Sequence, residues 1–210
     1  MPSSLLIFGG SGFIGKQLCQ NALNQGYHVY SISTHGKPVI NEQWIDHVNM
    51  TWIACDIVTH DDWQDKLPKN NCYCINLIGI LTQSSQQTYE NSITEPNKII
   101  SSWAEAYQIP YLFLSAKAGP VGYIKAKKEA EKFIKQHHSR ATIVYSGLVT
   151  QHGHDFKNFQ SHLIKLGTHI PLASHWCCKV YPIDVNDLTN VILYTIDSLD
   201  DSNKIVDLTH

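Results

Sequence analysis

A tyrosine and a lysine four residues apart, Tyr123 and Lys127, are the strongest chemical signal in the chain. On a helix, residues at this spacing share a face, so the phenol and the ammonium can converge on one ligand. A nearby positive charge favours the phenolate, and we expect it to lower the pKa of Tyr123 from its ordinary value of about 10. The pair therefore predicts general acid–base chemistry.

Three glycines follow an apolar run in the stretch L-L-I-F-G-G-S-G-F-I-G, at Gly9, Gly12 and Gly15. Between a strand and a helix, such a turn lies at the carboxyl edge of a sheet, where free N–H groups of the helix favour a diphosphate. Gly9 would allow the turn, Gly12 would let a ligand approach the backbone, and Gly15 would let the helix pack closely. Phe13 and Ile14, in the first turn of the predicted helix, join the predicted dinucleotide site. A structural turn without a ligand is the alternative.

These residues must be positioned by a scaffold, and strand-sized apolar segments alternate with helix-sized segments almost to the end of the chain. Strands are predicted at residues 5–8, 28–33, 50–55, 72–78, 111–114, 141–145 and 204–208. Helices are predicted at 12–24, 61–67, 96–107, 122–137 and 184–197, with a loop at 81–94. The alternation predicts an α/β protein with a doubly wound parallel sheet, a Rossmann-type fold of three layers.

The same pattern predicts one dinucleotide-binding domain over residues 1–210. Its core is expected at 1–147, an irregular flank on the substrate side at 148–182, and a helix and a strand that return to the core at 183–210. The flank contains the sequence His152-Gly153-His154-Asp155, which lacks further ligands at a recognisable spacing, so a polar loop is favoured over a metal site.

The composition limits the partners. With 43% hydrophobic residues and a formal charge of −2, the chain has the balance of a globular protein and no basic field for nucleic acid. It contains no apolar run of about 20 residues that could span a bilayer, and its six cysteines show no disulfide framework. We expect a cytoplasmic protein that binds a small molecule and no metal, and a homo-oligomer is compatible with the sequence.

The glycine stretch F-G-G-S-G-F-I-G-K, the stretch N-L-I-G-I-L and the Y-x-x-x-K helix resemble the short-chain dehydrogenase/reductase superfamily. Within it, the chain is most similar to the extended and atypical NAD(P)-binding branch, which is epimerase/dehydratase-like. The nearest group contains a coenzyme Q biosynthesis reductase-like protein and, more distantly, an accessory subunit of complex I. The resemblance implies that Tyr123 exchanges the proton, that Lys127 also binds the nicotinamide ribose, and that Ser115 holds the substrate carbonyl.

The resemblance also implies contacts at the ends of two further strands. Asp56 and Ile57 follow the third strand, where relatives bind the adenine ring; an exposed aspartate that caps the loop is the alternative for Asp56. Leu77, Ile78 and Gly79 end the fourth strand, where similar proteins keep small residues against the cofactor ribose.

The end of the second strand bears on the choice of cofactor. An NAD-specific protein usually has an acidic residue there for the ribose hydroxyls, whereas this chain reads Ser33-Thr34-His35-Gly36-Lys37. Ser33, Thr34 and Lys37 could hold a 2′-phosphate, so NADP(H) is favoured and NAD(H) is the alternative.

Two departures from the family pattern affect the expected chemistry. Ser115 and Tyr123 are only eight residues apart, and Ala116-Lys117 replaces the acidic pair of dehydratase members. The sequence therefore favours an NAD(P)-dependent oxidoreductase that acts on a carbonyl or quinone-like small molecule. The alternatives are a non-catalytic NAD(P)-binding accessory or sensor protein, related to quinone biosynthesis or a respiratory complex, and an NAD-dependent epimerase.

Overall fold

The computed structural model describes residues 4–151, 183–197 and 203–209. The strands are β1 (Ser4–Phe8), β2 (His28–Ser33), β3 (Met50–Ala54), β4 (Cys72–Asn76), β5 (Tyr111–Ala116), β6 (Ala141–Ser146), β7 (Val149–Thr150), β8 (Ile183–Asp184) and β9 (Lys204–Asp207). The α-helices are α1 (Phe13–Asn24), α2 (Glu95–Ala106), α3 (Val121–His137) and α4 (Val185–Asp197).

Seven of these strands form one sheet in the order β3-β2-β1-β4-β5-β6-β9, and all six neighbouring pairs are parallel. The chain builds outward from β1 on one side and from β4 on the other, so the topology reverses between these two central strands. In open α/β sheets, ligands bind outside the carboxyl ends of the strands at such a switch point. The predicted doubly wound α/β class is confirmed.

Helices cover both faces of the sheet because parallel strands require crossover connections. On one face, α1 and α4 bury Leu18, Ala22, Leu188 and Ile192 against the strands. On the other face lie α2 and α3, and their core includes an aromatic group in which Trp63 contacts Phe8 and Trp103 edge to face, each at 5.2 Å between ring centroids. The result is three packed layers around the sheet.

Most predicted elements appear within one or two residues of their expected ends, and β2 matches its prediction in full. Two segments differ. The helix predicted at 61–67 is a short 3₁₀ turn at Gln64–Lys66. The loop predicted at 81–94 ends in a π-helical turn, Glu90–Thr94, that runs directly into α2. The glutamine- and serine-rich part of this segment gave no periodic signal for that turn.

The predicted flank at 148–182 is described only over residues 148–151, where β7 pairs in parallel with β8, a strand that lies just beyond the flank. His152-Gly153-His154-Asp155 and the rest of 152–182 lie outside the described residues. Beyond the flank, α4 packs on α1 and β9 extends the sheet beside β6. No helix in the described ranges is long and apolar enough to cross a membrane.

Candidate active site

The turn between β1 and α1 is built on backbone hydrogen bonds. Gly9 has φ of +88°, a conformation that favours glycine. Its N–H donates to the carbonyl of Ile32 at the end of β2 at 2.8 Å, and the N–H of Gly12 donates to the carbonyl of Gly9 at 3.0 Å. The turn is therefore fixed against the sheet at the switch point.

Two glycines of this turn have no room for a side chain. A Cβ added to Gly15 would lie 2.2 Å from the carbonyl oxygen of Gly9, a backbone atom. A Cβ added to Gly10 would lie 2.2 Å from Oγ of Ser31 on β2. The close-packing role predicted for Gly15 thus agrees with the geometry, whereas Gly10 was not singled out from the sequence.

Gly12 occupies a different environment, at the N-cap of α1. An added Cβ would meet only the carbonyl oxygen of Gly9, at 3.2 Å, among atoms of the described residues. In the described part of the chain no side chain caps this helix, and its first turn contains no acidic residue. Among the described residues, the first N–H groups of α1 therefore have no side-chain cap, an arrangement that suits an anionic group.

The end of β4 adjoins this turn on one side and α3 on the other. A Cβ at Gly9 would lie 3.3 Å from the backbone nitrogen of Ile78, and the N–H of Leu77 donates to the carbonyl of Phe8 at 2.9 Å. A Cβ at Gly79 would lie 3.5 Å from Nζ of Lys127. The structure thus brings Leu77, Ile78 and Gly79 between the glycine turn and Lys127.

At the end of β2, the Ser11 hydroxyl donates to Oγ of Ser33 at 2.8 Å and links the glycine turn to that strand. Thr34 is hydrogen-bonded to the ring of His35. Lys37 forms an exposed ion pair with Asp46. Asp46 was not predicted. It is the acidic partner of Lys37, the one cation that the sequence assigned to the 2′-phosphate.

Asp56 and Ile57 follow β3 and have different environments. The Asp56 carboxylate accepts the N–H of Val58 at 3.1 Å, which is the loop-capping role considered as the alternative. Ile57 is buried and packs in the core that contains Trp63. Of this pair, Asp56 is the exposed residue.

Tyr123 and Lys127 lie on the face of α3 that turns toward β5. Nζ of Lys127 donates to the carbonyl of Leu114 at 2.7 Å and lies 5.8 Å from the centre of the Tyr123 ring. Burial lowers the pKa of Lys127 to about 7, partly opposed by the negative charge of Glu131. Burial, together with Tyr89, raises the pKa of Tyr123 to about 12.

The expected lowering of the Tyr123 pKa is therefore wrong for this structure. Desolvation penalises the phenolate, and the same desolvation weakens the positive charge that was expected to stabilise it. Tyr123 is held as a neutral phenol, and this protonation state suits a proton donor.

Ser115 is buried, and its hydroxyl donates to the Glu131 carboxylate at 2.5 Å. The second oxygen of that carboxylate accepts the Tyr145 hydroxyl at 2.6 Å. Glu131 was not predicted, although the sequence carries its signal: Tyr123, Lys127 and Glu131 follow one another at a spacing of four on one helix face.

Tyr89 covers Tyr123 from the loop that precedes the π-helical turn. The two rings meet edge to face at 6.2 Å between centroids, and the Tyr89 hydroxyl donates to the carbonyl of Leu81 at 2.9 Å. A Cβ at Gly122 would lie 2.8 Å from the Tyr89 ring, so the absence of a side chain there admits this contact. Tyr89 was not predicted.

The low pKa of Lys127 makes stability depend on pH. Between pH 7 and 8.5 the unfolded chain binds more protons at this amine than the folded chain, because the unfolded value is about 10.4. The free energy of unfolding is then expected to rise with pH, by at most about 1.4 kcal/mol per pH unit. Lys127→Met should lose this contribution, and urea unfolding of both proteins at the two pH values measures the difference. Equal slopes would contradict a depressed pKa.

The parallel sheet, its switch point and the helices on both faces define a Rossmann-type α/β protein. The model of the NAD dependent epimerase/dehydratase family matches residues 5–138. The chain belongs to this family.

Three curated relatives are similar over different lengths. MIOREX complex component 2 of Saccharomyces cerevisiae is 38% identical over 105 residues, which are 47% of this chain and 37% of the relative. An Arabidopsis thaliana protein described as uncharacterized and chloroplastic is 26% identical over 60% of this chain and 44% of its own length. An epimerase family protein of Staphylococcus aureus is 23% identical over 92% of this chain and 70% of its own length. The chain thus spans less than half the length of the first two.

Solved structures share the fold at low identity. WbmH of Bordetella bronchiseptica, in complex with NAD+, has a TM-score of 0.68 at 12% identity and covers 96% of this chain, which spans 74% of WbmH. MoeE5, in complex with UDP-glucuronic acid and NAD, has a TM-score of 0.72 at 15% identity, with 98% of this chain and 76% of MoeE5 covered. At these identities the likeness shows the fold.

Proposed function

We propose that the chain is an NAD(P)-dependent oxidoreductase that acts on a carbonyl or quinone-like small molecule. One observation carries the proposal: the open N-terminus of α1 and the Tyr123–Lys127 pair lie along the same carboxyl edge of the sheet. Gly79 and its neighbour Ile78 lie between the two: a Cβ added to Gly79 would be 3.5 Å from the Lys127 Nζ, and a Cβ added to Gly9 would be 3.3 Å from the backbone nitrogen of Ile78. A dinucleotide has the extended shape that such an edge accommodates.

The residues present fit a dinucleotide. The uncapped first turn of α1 and the space beside Gly12 suit a diphosphate. At the end of β2 the hydroxyls of Ser33 and Thr34 would meet the adenosine ribose, and the exposed Asp56 would border the adenine. Lys127, at the far end, would hold the nicotinamide ribose.

The nicotinamide ring, when bound, supplies or accepts the hydride. The chain's own contribution is the proton: Tyr123, a neutral phenol at physiological pH, would donate it to the oxygen of a carbonyl as that oxygen gains charge. Lys127 would hold its ammonium beside the Tyr123 ring and stabilise the phenolate that remains.

Within this proposal NADP(H) is favoured over NAD(H), and the exposed Lys37–Asp46 pair allows a direct test. Asp46→Asn frees the Lys37 ammonium, so we expect NADPH to bind about three- to tenfold more tightly, with NADH little changed. Lys37→Ala should weaken NADPH alone. Calorimetric titration of both variants with both cofactors measures these effects. Parallel changes for NADPH and NADH would show that Lys37 does not meet the 2′-phosphate.

The proposal itself is tested by titrating the purified protein with NADPH and NADH, with cofactor fluorescence as the readout. Oxidation of the bound cofactor is then followed with a panel of carbonyl compounds and quinones. Binding followed by turnover supports the oxidoreductase. Failure to bind either dinucleotide would refute it.

A second function, binding of a nucleotide without turnover, is favoured by a specific feature of the site. The Ser115 proton is committed to Glu131, and Tyr89 covers Tyr123. The yeast relative is described as a component of a complex, which is compatible with an accessory role. This candidate predicts dinucleotide binding and no turnover with any member of the panel.

A further inference from the structure

Glu131 is a buried carboxylate to which the proposed chemistry assigns no role. It lies one helical turn beyond Lys127 on α3, and both of its oxygens accept hydrogen bonds from hydroxyl groups. Ser115 donates to Oε1 at 2.5 Å, and Tyr145 donates to Oε2 at 2.6 Å. Ser115 is the penultimate residue of β5 and Tyr145 lies on β6, so Glu131 joins the helix to two neighbouring strands.

The hydrogen bonds fix the direction of both hydroxyl protons. A carboxylate can only accept, so the protons of Ser115 and Tyr145 point toward Glu131. The Ser115 oxygen then has lone pairs left but no proton to offer. Any ligand group that reaches it must be a donor, such as a hydroxyl, and this differs from the carbonyl-holding role that the family resemblance implies for Ser115.

The charge of Glu131 also reaches the buried amine. The Lys127 amine lies beside the Tyr123 ring on its own helix, the Leu114 carbonyl and the Phe113 ring on β5, and Gly79 after β4. Glu131 follows Lys127 by one turn on the same face of α3. Glu131 supplies the negative charge that opposes the effect of burial on the Lys127 pKa. On the side of Glu131 opposite Lys127, Tyr145 faces Lys117 and Asp207, which form an ion pair with each other at the surface.

We propose that Glu131 is a positioning residue of the Tyr123–Lys127 site. It holds the Ser115 hydroxyl as a hydrogen-bond acceptor toward a ligand, and it stabilises the Lys127 ammonium against burial. The proposal rests on the proposed function in so far as these groups face a ligand.

The first test follows the amine in protein labelled with ¹³C at lysine Cε, by NMR titration without any ligand. We expect one lysine to titrate near pH 7, well below surface amines at about 10.4, and to vanish in Lys127→Met. In Glu131→Gln its midpoint should fall by about one pH unit, a tenfold larger acid dissociation constant. Tyr145→Phe is the matched control: it removes one hydrogen bond to Glu131, keeps the charge, and should leave the midpoint within about 0.3 units.

An unmoved midpoint in Glu131→Gln would overturn the proposal, and so would an equal shift in Tyr145→Phe, which would indicate disturbed packing. If Glu131→Gln does not fold, Glu131→Asp is tested instead, because its side chain is one methylene shorter and moves the carboxylate away from Lys127. A smaller fall is then expected, and no fall overturns the proposal.

The second test uses the pH dependence of NADPH affinity. In the wild-type protein the affinity should decline above the Lys127 midpoint, and in Glu131→Gln the decline should begin about one pH unit lower. A wild-type protein that binds neither NADPH nor NADH refutes the proposed function, whereas the NMR comparison still decides the role of Glu131. Binding with identical pH profiles in both proteins refutes the positioning role alone.

Discussion

Tyr123→Phe is expected to lower turnover about 10²- to 10⁴-fold and to leave dinucleotide affinity within about twofold, because the substitution removes the transferred proton. The ring that packs against Tyr89 is retained, so the fold around the site should persist. The measurement is steady-state oxidation of NADPH with the best substrate from the panel, together with a binding titration of the same sample.

Tyr107→Phe is a matched control for that substitution. Tyr107 follows α2, is 42% exposed, and has no place in the proposed site, so its phenylalanine variant should keep full turnover. If Tyr123→Phe retains the wild-type rate, Tyr123 is not the proton donor. If the wild-type protein binds cofactor but turns over nothing, the accessory function is the better description.

The second large effect is on stability, and it distinguishes Gly15 from Gly12, two glycines near the turn between β1 and α1. Gly15→Ala should destabilise the protein by about 3 kcal/mol, because the new methyl group would lie 2.2 Å from a backbone oxygen that cannot move freely. For a chain of this size, that corresponds to a fall in Tm of roughly 10 °C. Thermal unfolding measures it directly.

Gly12→Ala should behave in the opposite way. Gly12 has an extended backbone with φ of −73°, which any residue adopts, and among the described residues its Cβ would approach only the Gly9 carbonyl oxygen, at 3.2 Å, instead of the 2.2 Å found at Gly15. We expect a loss of stability of at most about 1 kcal/mol, typical of a changed N-cap, and dinucleotide affinity at least about tenfold weaker if the diphosphate lies there. Similar losses of stability in the two variants would contradict this division of roles.

The sequence predicted the sheet well because its strands carry their own signals. The run before Gly9 is apolar throughout, as expected for a strand buried on both faces, and all of β1 is indeed buried. The helix α1 ends where Gly26 takes φ of +87°, the role expected of a glycine that terminates a helix. The residues of each segment were therefore enough to predict β1 and the end of α1.

Interactions between distant segments could not be predicted in this way. Lys37 and Asp46 meet because an irregular segment between β2 and β3 folds back, and no periodicity indicates such a path. Tyr89, which contacts Tyr123, immediately precedes a π-helical turn that has no sequence signature. Burial, which reverses the expected direction of the Tyr123 pKa, likewise depends on the whole fold.

The last strand of the sheet has a consequence for how the chain acquires its shape. β9 pairs with β6 after a long excursion, and Asn203, just before it, meets Ala141, 62 residues earlier. Closing so long a loop lowers the conformational entropy of the chain before the pairing of β9 with β6 can offset that cost, and folding is therefore slower. During synthesis on the ribosome, β6 would remain an unpaired edge strand until β9 is made, and it could pair with another nascent chain. Aggregation during synthesis should therefore increase when β9 is removed or delayed.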